Sequence, residues 1–558
     1  MQTKTKRHLL LLTLIYIILI VLVNPMGNFP VNDDWAFARS VLLLAEEGEF
    51  HLLDWGAMTL LSQVVWGALW VKLFGFSFEV LRFSTIVLGF VALVGSYYLL
   101  LGITKESWVA LTGTGVLLVN PLFIVLANSF MTDVPFLALS LWSAFFLLRA
   151  IERDSVSDTV LGLGFAIVAL LLRQIALVLP LAFLFGYIAK FNRTLSIRRL
   201  VVGAGPFFIS MLAYLGYIKW LKLNDNIPRA MTWSQDRLNT NIVALFDSTY
   251  SDLILICKWA GGILMYVGLF SLPMMLVLYL GGGNRNFSGV KKITFWIITG
   301  MILLIISFTL FETDVLMPVH YNLITSSGIG PFTLRDVFAL GLPHLDSIPR
   351  TVWQLITAMS VLGALLLGHR LGLLTRDMVQ NRSQGIRGVP EVHWREIYLC
   401  ILIAAYVLPL LLTDYFDRYL LFLLPFVFSL VALPNTPGNS VKPLWLTLVS
   451  VLLIPIYGYF SVALAHDYMS WNRTRTDAIN WVRTEHKLDY SLIDGGFEIN
   501  GFYGYDPRYE SDLSRWVKDD KYIITFGEVP GYLLDKQFAV ERTLPIGPRE
   551  IMVLRRLD

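Results

Sequence analysis

Long apolar segments recur along the whole chain, and each is close to the length that crosses a lipid bilayer. A transmembrane helix needs about 20 mostly apolar residues, and hydrophobic residues make up 56% of this sequence. Charged residues make up 15%, against roughly 25% in soluble proteins. We therefore predict a polytopic α-helical membrane protein with about 13 transmembrane helices. The predicted spans are 8–24, 80–101, 108–127, 134–150, 159–173, 175–190, 200–221, 252–280, 293–311, 351–371, 396–413, 418–434 and 442–464.

The segment 58–74 is also apolar, but we interpret it as an interfacial helix. Gln63, Trp66, Trp70 and Lys72 interrupt it, and an amphipathic helix with such side chains can lie in the plane of the interface. With 58–74 left out, 19 Lys and Arg residues fall in the predicted cytoplasmic segments and eight in the outer loops. This is the positive-inside distribution, and a span at 58–74 would reverse it. We predict a multi-pass plasma-membrane protein with a cytoplasmic N-terminus.

Three carboxylates are predicted to lie on the outer face. Asp33 and Asp34 follow the first span directly, and Asp133 lies in the loop between the third and fourth spans. Acids at a bilayer surface need water, a cation or a ligand to compensate their charge. A simpler interpretation also fits, because Asp and Asn are good helix N-caps and Asp133 directly precedes the fourth span.

The composition changes near residue 465, after the last apolar segment. Residues 478–483 have the pattern of an amphipathic helix, and 490–494, 522–526 and 551–554 have the pattern of short strands. We predict a transmembrane domain at 1–464, with its first outer loop at 24–79. An extracytoplasmic α/β domain would follow at 465–558.

Several motifs occur in a characteristic order and on the same predicted side of the membrane. They are Asp-Asp-Trp-Ala-Phe-Ala at 33–38, Leu-Phe-Gly-Phe-Ser-Phe-Glu-Val-Leu-Arg-Phe-Ser at 73–84, Asn-Pro at 120–121, Ser-Phe-Met-Thr-Asp at 129–133, and Asp-Arg-Tyr-Leu-Leu-Phe-Leu-Leu-Pro at 417–425. Together they resemble the polyprenyl-phosphate-sugar-dependent membrane glycosyltransferases with the C-type fold. That group includes the protein O-mannosyltransferases and the lipid A aminoarabinose transferases. The resemblance covers residues 1–200 well and the remainder in patches.

Two departures from that family stand out. Its members often have Asp-Glu where this chain has Asp33-Asp34. They also often have a His/Lys-Pro-Pro step where this chain has Asp-Trp-Gly-Ala-Met at 54–58. The second departure lies on the donor side, so it bears on the identity of the donor more than on the class of reaction.

The resemblance implies transfer of a sugar from a polyprenyl-phosphate carrier to an acceptor hydroxyl at the outer leaflet, with inversion. The acceptor would be a lipid, a glycan or a protein. Such a transfer needs one base to take the acceptor proton, and no paired general acid is obligatory because the leaving group is a phosphate. We predict Asp33 as the base, with Asp34 and Asp133 orienting the acceptor or positioning the base.

Cations near the carrier phosphate would stabilise the charge that develops on it. Arg418, Arg39 and Arg173 are the candidates, with Tyr419 beside Arg418 as a further substrate-binding residue, since Arg suits bidentate phosphate contacts. Arg418 fits an interfacial anchor, or a partner of Asp414, equally well. Arg173 also fits a tight turn between two short spans.

The sequence indicates no cofactor; it does not indicate a divalent metal either, although it leaves one open. His320, His344, Glu312 and Asp314 share an outer loop, but their spacing fits no closed metal site, so we interpret them as solvated. The net charge of +3 does not indicate a nucleic-acid partner. The two cysteines, Cys257 and Cys400, lie inside apolar runs, which argues against a disulfide framework.

Two other functions compete with glycosyl transfer. A secondary transporter or lipid-linked glycan flippase would have ionisable groups near mid-membrane and two matching halves, whereas the acids here cluster at one face. A glycan polymerase or ligase would share a large outer loop but would lack the acidic pair after the first span.

Overall fold

The computed structural model of the chain describes residues 2–246, 250–281, 297, 299–307, 316–319, 322–383, 393–413, 415–433, 444–508, 516–517 and 519–557. Helices make up most of this part, and a small sheet lies at its C-terminal end. The first helices are α1 Gln2–Val23, α2 Asp34–Leu42, α3 Leu61–Phe74, α4 Phe78–Thr104, α5 Ser107–Leu118, α6 Pro121–Ala127, α7 Asp133–Arg153, α8 Val156–Leu170 and α9 Val178–Phe191. The later ones are α10 Ile197–Leu223, α11 Arg229–Phe246, α12 Tyr250–Gly281, α13 Arg335–Phe338, α14 Arg350–Ser383, α15 Trp394–Leu412, α16 Leu423–Ala432, α17 Leu444–Glu485 and α18 Phe497–Gly504.

Among the described residues, eight helices are long and apolar enough to cross a membrane, or up to nine if a bent pair counts as one span. The prediction of a multi-pass helical membrane protein is therefore confirmed. The predicted spans 159–173 and 418–434 correspond to the shorter helices α8 and α16. Of the predicted span 293–311, the structure describes 297 and 299–307. The count of 13 therefore stays a prediction.

Helix α3 is too short to span the bilayer. Its 14 residues give a length of roughly 21 Å at 1.5 Å per residue, against a hydrocarbon core of about 30 Å. Leu73 and Phe74 at its end are exposed. These features agree with the interfacial interpretation of this segment.

The bent pair joins α5 and α6 at an angle of 65°. Asn120 lies between the two helices and caps the second, because its side chain accepts hydrogen bonds from the N–H groups of Leu122 and Phe123. Pro121 suits the first position of a helix, where no N–H donor is needed. The loop 128–132 that follows contacts the segment after α1, because the N–H of Phe130 donates to Asp34 at 3.2 Å.

Helices α12 and α14 cross closely at two glycines. A Cβ atom on Gly268 would lie 2.5 Å from the backbone nitrogen of Ala364, and one on Gly363 would collide with the carbonyl of Gly268. Small residues at such crossings let two helix backbones approach within a membrane. Larger side chains here would separate the helices.

The C-terminal sheet has four strands, β3 Ile493–Asp494, β4 Tyr522–Thr525, β5 Tyr532–Ala539 and β6 Glu550–Arg556, in the order β3-β4-β6-β5. Strands β3 and β4 are parallel, and the other pairs are antiparallel. A further two-stranded hairpin pairs β1 Ile324–Thr325 with β2 Gly328–Ile329. The predicted strands correspond to β3, β4 and β6, whereas β5 was missed. The predicted domain boundary at 464/465 falls inside α17, which continues without a break.

A buried ion pair attaches the predicted first outer loop to the C-terminal region, which is here residues 465–558. Arg475 of α17 contacts Glu498 of α18 at 2.7 Å, and neither side chain is exposed to solvent. Glu498 also accepts a hydrogen bond from the N–H of Asn32 at 3.3 Å, and Arg475 donates to the carbonyl of Pro30 at 3.2 Å. The turn that precedes Asp33 is thus held by charges from far along the chain.

We predict that Arg475→Met lowers the free energy of unfolding by roughly 3–5 kcal/mol, because it leaves Glu498 buried without a counter-charge. Denaturant unfolding in detergent measures the change. The double replacement Arg475→Met with Glu498→Leu should recover part of the loss, since it removes both buried charges. Arg556→Met is the control, because Arg556 is 42% exposed in its pair with Asp519, and it should change stability little. Equal losses in the two single variants would contradict this account.

Candidate active site

Arg82 of α4 organises the backbone that leads to the acidic pair. Its guanidinium donates hydrogen bonds to the carbonyls of Pro25, Gly27 and Phe29. The carbonyls satisfied in this way belong to the irregular segment between α1 and α2, where no helix or sheet supplies partners. The next residues then form the turn that begins α2 at Asp34.

Asp34 is buried and joins two loops. One carboxylate oxygen accepts the N–H of Val31 at 2.8 Å, and the other accepts the N–H of Phe130 at 3.2 Å. Only 1% of the residue is exposed. With both oxygens engaged by backbone, Asp34 is placed to hold the first loop against the loop that precedes α7, rather than to contact a substrate.

Asp33 is the more open member of the pair, with 22% of its side chain exposed. One carboxylate oxygen accepts a hydrogen bond from the indole N–H of Trp55 at 3.1 Å. The other accepts one from Nη2 of Arg418, also at 3.1 Å. Two side chains from distant segments therefore fix the orientation of this carboxylate.

Asp133 pairs with Arg173 at the start of α7. The two side chains are 2.9 Å apart and almost fully buried. Nε of Arg173 donates to the hydroxyl of Thr132 at 2.9 Å, and its guanidinium lies 5.3 Å from the ring centroid of Tyr419. Arg173 therefore does more than mark a turn, because it has a charge partner. Asp133 is also the first residue of α7.

Arg418 lies between the two acids. The charges of both Asp33 and Asp133 act on its guanidinium, which stacks 4.9 Å from the centroid of Phe416 and 5.5 Å from that of Tyr419. Its side chain is 3% exposed, so it is not a surface anchor. Within the part of the chain that the structure describes, Nε and Nη1 are buried and have no hydrogen-bond partner. The alternative partner Asp414 lies outside the described residues.

Asp417 fixes the turn that carries Arg418. Its carboxylate accepts the N–H groups of Leu323 and Ile324, at 3.1 and 2.7 Å. Burial raises the pKa of Asp417 to about 6. The hairpin β1–β2 and the Arg418 turn are therefore positioned together.

Arg39 is not brought into this cluster. It lies one and a half turns along α2, donates to the carbonyl of Gly501 at 3.4 Å, and stacks 5.9 Å from the ring centroid of Tyr505. It lines a cavity of about 320 Å³ together with Asp54 and Pro507. The predicted site residues that the structure brings together are therefore Asp33, Asp133, Arg173, Arg418 and Tyr419. Asp34 does not join them but holds the two neighbouring loops together.

Among the described residues, no group of His, Cys, Asp and Glu is placed to hold a metal ion. His344 instead contacts Asp336 at 2.7 Å, and Asp336 accepts the N–H of Phe526 at 2.9 Å. This arrangement joins the outer loop to the C-terminal sheet, so His344 is a structural contact and not a solvated residue. His320, Glu312 and Asp314 lie outside the described residues.

Residues 66–218 match the family model described as dolichyl-phosphate-mannose-protein mannosyltransferase. The matched segment contains Asp133 and Arg173 and stops short of Asp33 and Arg418. The resemblance noted from the sequence motifs is thereby confirmed. No curated protein matches the sequence.

Two solved structures are similar over most of the chain at low identity. The oligosaccharyltransferase AglB from Archaeoglobus fulgidus, in complex with an inhibitory peptide and a dolichol-phosphate, is 11% identical with a TM-score of 0.41, and the match covers 86% of this chain and 58% of that one. ArnT from Cupriavidus metallidurans bound to undecaprenyl phosphate is 13% identical with a TM-score of 0.41, and the match covers 98% and 97%. The present chain thus spans little more than half of the archaeal protein.

The burial of Asp34 predicts a specific pH dependence of stability. Burial raises its pKa to about 8, against the opposing effects of Arg82 and the N–H groups of Val31 and Phe130. An unfolded aspartate has a pKa of about 3.9, so the folded state binds the proton more tightly. The resulting stability is present below about pH 4 and is lost as the pH rises through about 8.

We therefore expect the midpoint of thermal unfolding to fall between about pH 6.5 and about pH 8.5, above the pKa of Asp417. The fall should be shallower in Asp34→Asn and unchanged in the control Asp54→Asn. Intrinsic fluorescence in detergent follows the transition. An identical pH profile in wild type and Asp34→Asn would mean that Asp34 is ionised in the folded protein.

Proposed function

We propose that this protein is an integral-membrane glycosyltransferase that moves a sugar from a polyprenyl-phosphate carrier to an acceptor hydroxyl at the outer leaflet. The observation that carries the proposal is the pairing of Asp33 with Arg418. Asp33 is the partly exposed acid of the cluster. Its partner Arg418 keeps two buried nitrogens, Nε and Nη1, that have no acceptor among the described residues. The family match at 66–218 supports the reaction class.

The proposed reaction divides the cluster into a base and an anion site. The acceptor oxygen attacks the anomeric carbon of the sugar, and its proton passes to Asp33. The bond from that carbon to the phosphate oxygen breaks, and the electron pair leaves with the phosphate. Attack opposite to the leaving group inverts the anomeric centre.

Arg418 is suited to receive the departing phosphate. Its charge is already opposed by Asp33 and Asp133, so the group is stable in the buried site before the substrate arrives. A buried arginine with free N–H donors binds phosphate oxygens through charge-assisted hydrogen bonds. Preorganised donors of this kind stabilise charge that develops in a transition state.

Arg173, Asp133 and Tyr419 take a supporting role in this proposal. Asp133 is committed to Arg173 at 2.9 Å, so neither is free to act as an independent base or phosphate ligand without breaking that pair. Tyr419 lies beside both arginines. These residues hold Arg418 at a fixed distance from Asp33.

A transporter or flippase finds less support. Such proteins place discontinuous helices in matching positions of two halves, whereas the described spans contain one bent pair. That pair delivers the loop before Asp133 to the acidic cluster. The donor sugar, the acceptor and the plasma-membrane location with an outward-facing C-terminal region are parts of the proposal that labelled-substrate and topology experiments would test.

We predict that Asp33→Asn lowers turnover at least about a hundredfold, because the amide cannot take the acceptor proton. The assay incubates purified protein in vesicles with defined polyprenyl-phosphate sugars and identifies the labelled product. Glu46→Gln is the matched control, since Glu46 is an exposed carboxylate of the same loop, and it should retain activity. Full turnover by a well-folded Asp33→Asn variant would refute the proposed base.

We predict that Arg418→Gln lowers kcat/KM for the carrier-linked donor by about tenfold to a hundredfold, because charge-assisted contacts to the phosphate are lost. Inhibition by sugar-free polyprenyl phosphate should weaken in parallel. Arg508→Gln is the control, because Arg508 is 87% exposed. Unchanged inhibition in the Arg418 variant would exclude this residue from the phosphate site.

A further inference from the structure

A cluster of five aromatic rings lies beside Asp33. Trp35 and Trp55 come from the first outer loop, and Phe497, Tyr505 and Trp516 come from the C-terminal region. Neighbouring ring centroids are separated by 5.2 Å between Tyr505 and Trp516 and by up to 6.0 Å between Trp35 and Trp55. Aromatic pairs at such distances stabilise one another beyond simple burial.

Trp55 is the ring of this cluster that reaches the acid. Its centroid lies 5.6 Å from that of Phe497 and 5.7 Å from that of Trp516. Its indole N–H donates to Asp33 at 3.1 Å. Phe497 and Trp516 therefore pack against the ring of Trp55, while its indole N–H donates to the carboxylate.

Trp35, the other tryptophan of the first outer loop in this cluster, differs from Trp55 in its hydrogen bonding. It is fully buried, and its indole N–H has no hydrogen-bond partner among the described residues. Its ring packs so tightly on α18 that a Cβ atom on Gly501 would lie 2.7 Å from it. Trp35 thus packs the cluster together, whereas Trp55 adds a directional contact to Asp33.

The contact from Trp55 matters because the other partner of Asp33 has a second task. On the proposed function, the charge of Arg418 is shared between Asp33 and the carrier phosphate, so this arginine no longer serves the carboxylate alone. The indole N–H is the remaining hydrogen bond that the described structure provides to this carboxylate. A general base must be aimed at the proton it removes to within hydrogen-bond geometry.

We propose that Trp55 is a positioning residue for Asp33, and that Phe497 and Trp516 of the C-terminal region set the orientation of Trp55. The inference rests on the proposed function and assigns the C-terminal region a part in the reaction. Trp55 lies in the 54–58 segment, where this chain departs from the pattern of the family it resembles. The positioning contact is therefore a feature of this chain's own sequence.

The test compares Trp55→Phe with Trp35→Phe. Both changes keep an aromatic ring in the cluster, but only the first removes an N–H that has an acceptor. We expect Trp55→Phe to lower kcat about tenfold to a hundredfold, with KM for the donor and the unfolding temperature unchanged. Trp35→Phe should keep kcat within about twofold of wild type.

The link to the C-terminal region is tested by a double-mutant cycle. Trp516→Ala should lower kcat in the wild-type background and have little further effect in Trp55→Phe, because both changes act through one contact. Multiplicative effects of the two changes would show that Trp516 acts on activity by another route. An unchanged kcat in Trp55→Phe, or a change confined to KM, would overturn the proposal.

A readout that does not need activity separates this inference from the proposed function. In protein labelled with 5-fluorotryptophan, the ¹⁹F resonance that disappears in Trp55→Phe identifies Trp55. We expect this resonance to shift in both Asp33→Asn and Trp516→Ala. If wild type transfers no sugar but the shifts occur, the proposed function fails while the contact stands. If the resonance is unmoved in both variants, the positioning contact itself is wrong.

Discussion

The buried contact between Arg475 and Glu498 is the constraint on which the candidate site depends. The segment between α1 and α2 has no regular secondary structure, so its backbone polar groups need other partners. Glu498 and Arg475 supply two of them, at Asn32 and Pro30, and Arg82 supplies three more. A buried charge is costly unless it is paired and hydrogen-bonded. Arg475 and Glu498 satisfy both conditions, and Asp33 is presented at a defined place as a result.

The same principle organises the cluster around Asp33. Two acids, Asp33 and Asp133, face two arginines, Arg173 and Arg418, and the pairs are built from four separate segments of the chain. Arg173 lies 2.9 Å from Asp133 and donates to Thr132, whereas Arg418 keeps two buried nitrogens, Nε and Nη1, without acceptors in the described structure. This asymmetry distinguishes a structural ion pair from a group that is ready to bind an anion. It also explains why one arginine is proposed for the carrier phosphate and the other for support.

The adjacent acids Asp33 and Asp34 illustrate what a motif by itself leaves open. The sequence predicts Asp33 as the base and Asp34 as an orienting residue, but no local pattern shows how their surroundings differ. In the fold they point to different environments, because Asp34 accepts two backbone N–H groups inside the protein while Asp33 remains partly exposed. Arg39 was predicted to face the phosphate, yet its position on α2 directs it to Gly501 and Tyr505 instead. Glu498 and Trp516 had no recognisable pattern, since their importance comes from contacts across hundreds of residues.

The sequence alone determined that this is a polytopic helical membrane protein with a small sheet at its C-terminal end. Hydrophobic length and strand-like patterning are local properties, and they need no knowledge of the fold. The order of the acidic and basic motifs was likewise enough to indicate the reaction class. Only the tertiary structure decided which acid is open, which arginine contacts that acid, and which tryptophan reaches the carboxylate. Those properties depend on the burial and distance of groups that are remote in the chain, and no local pattern encodes them.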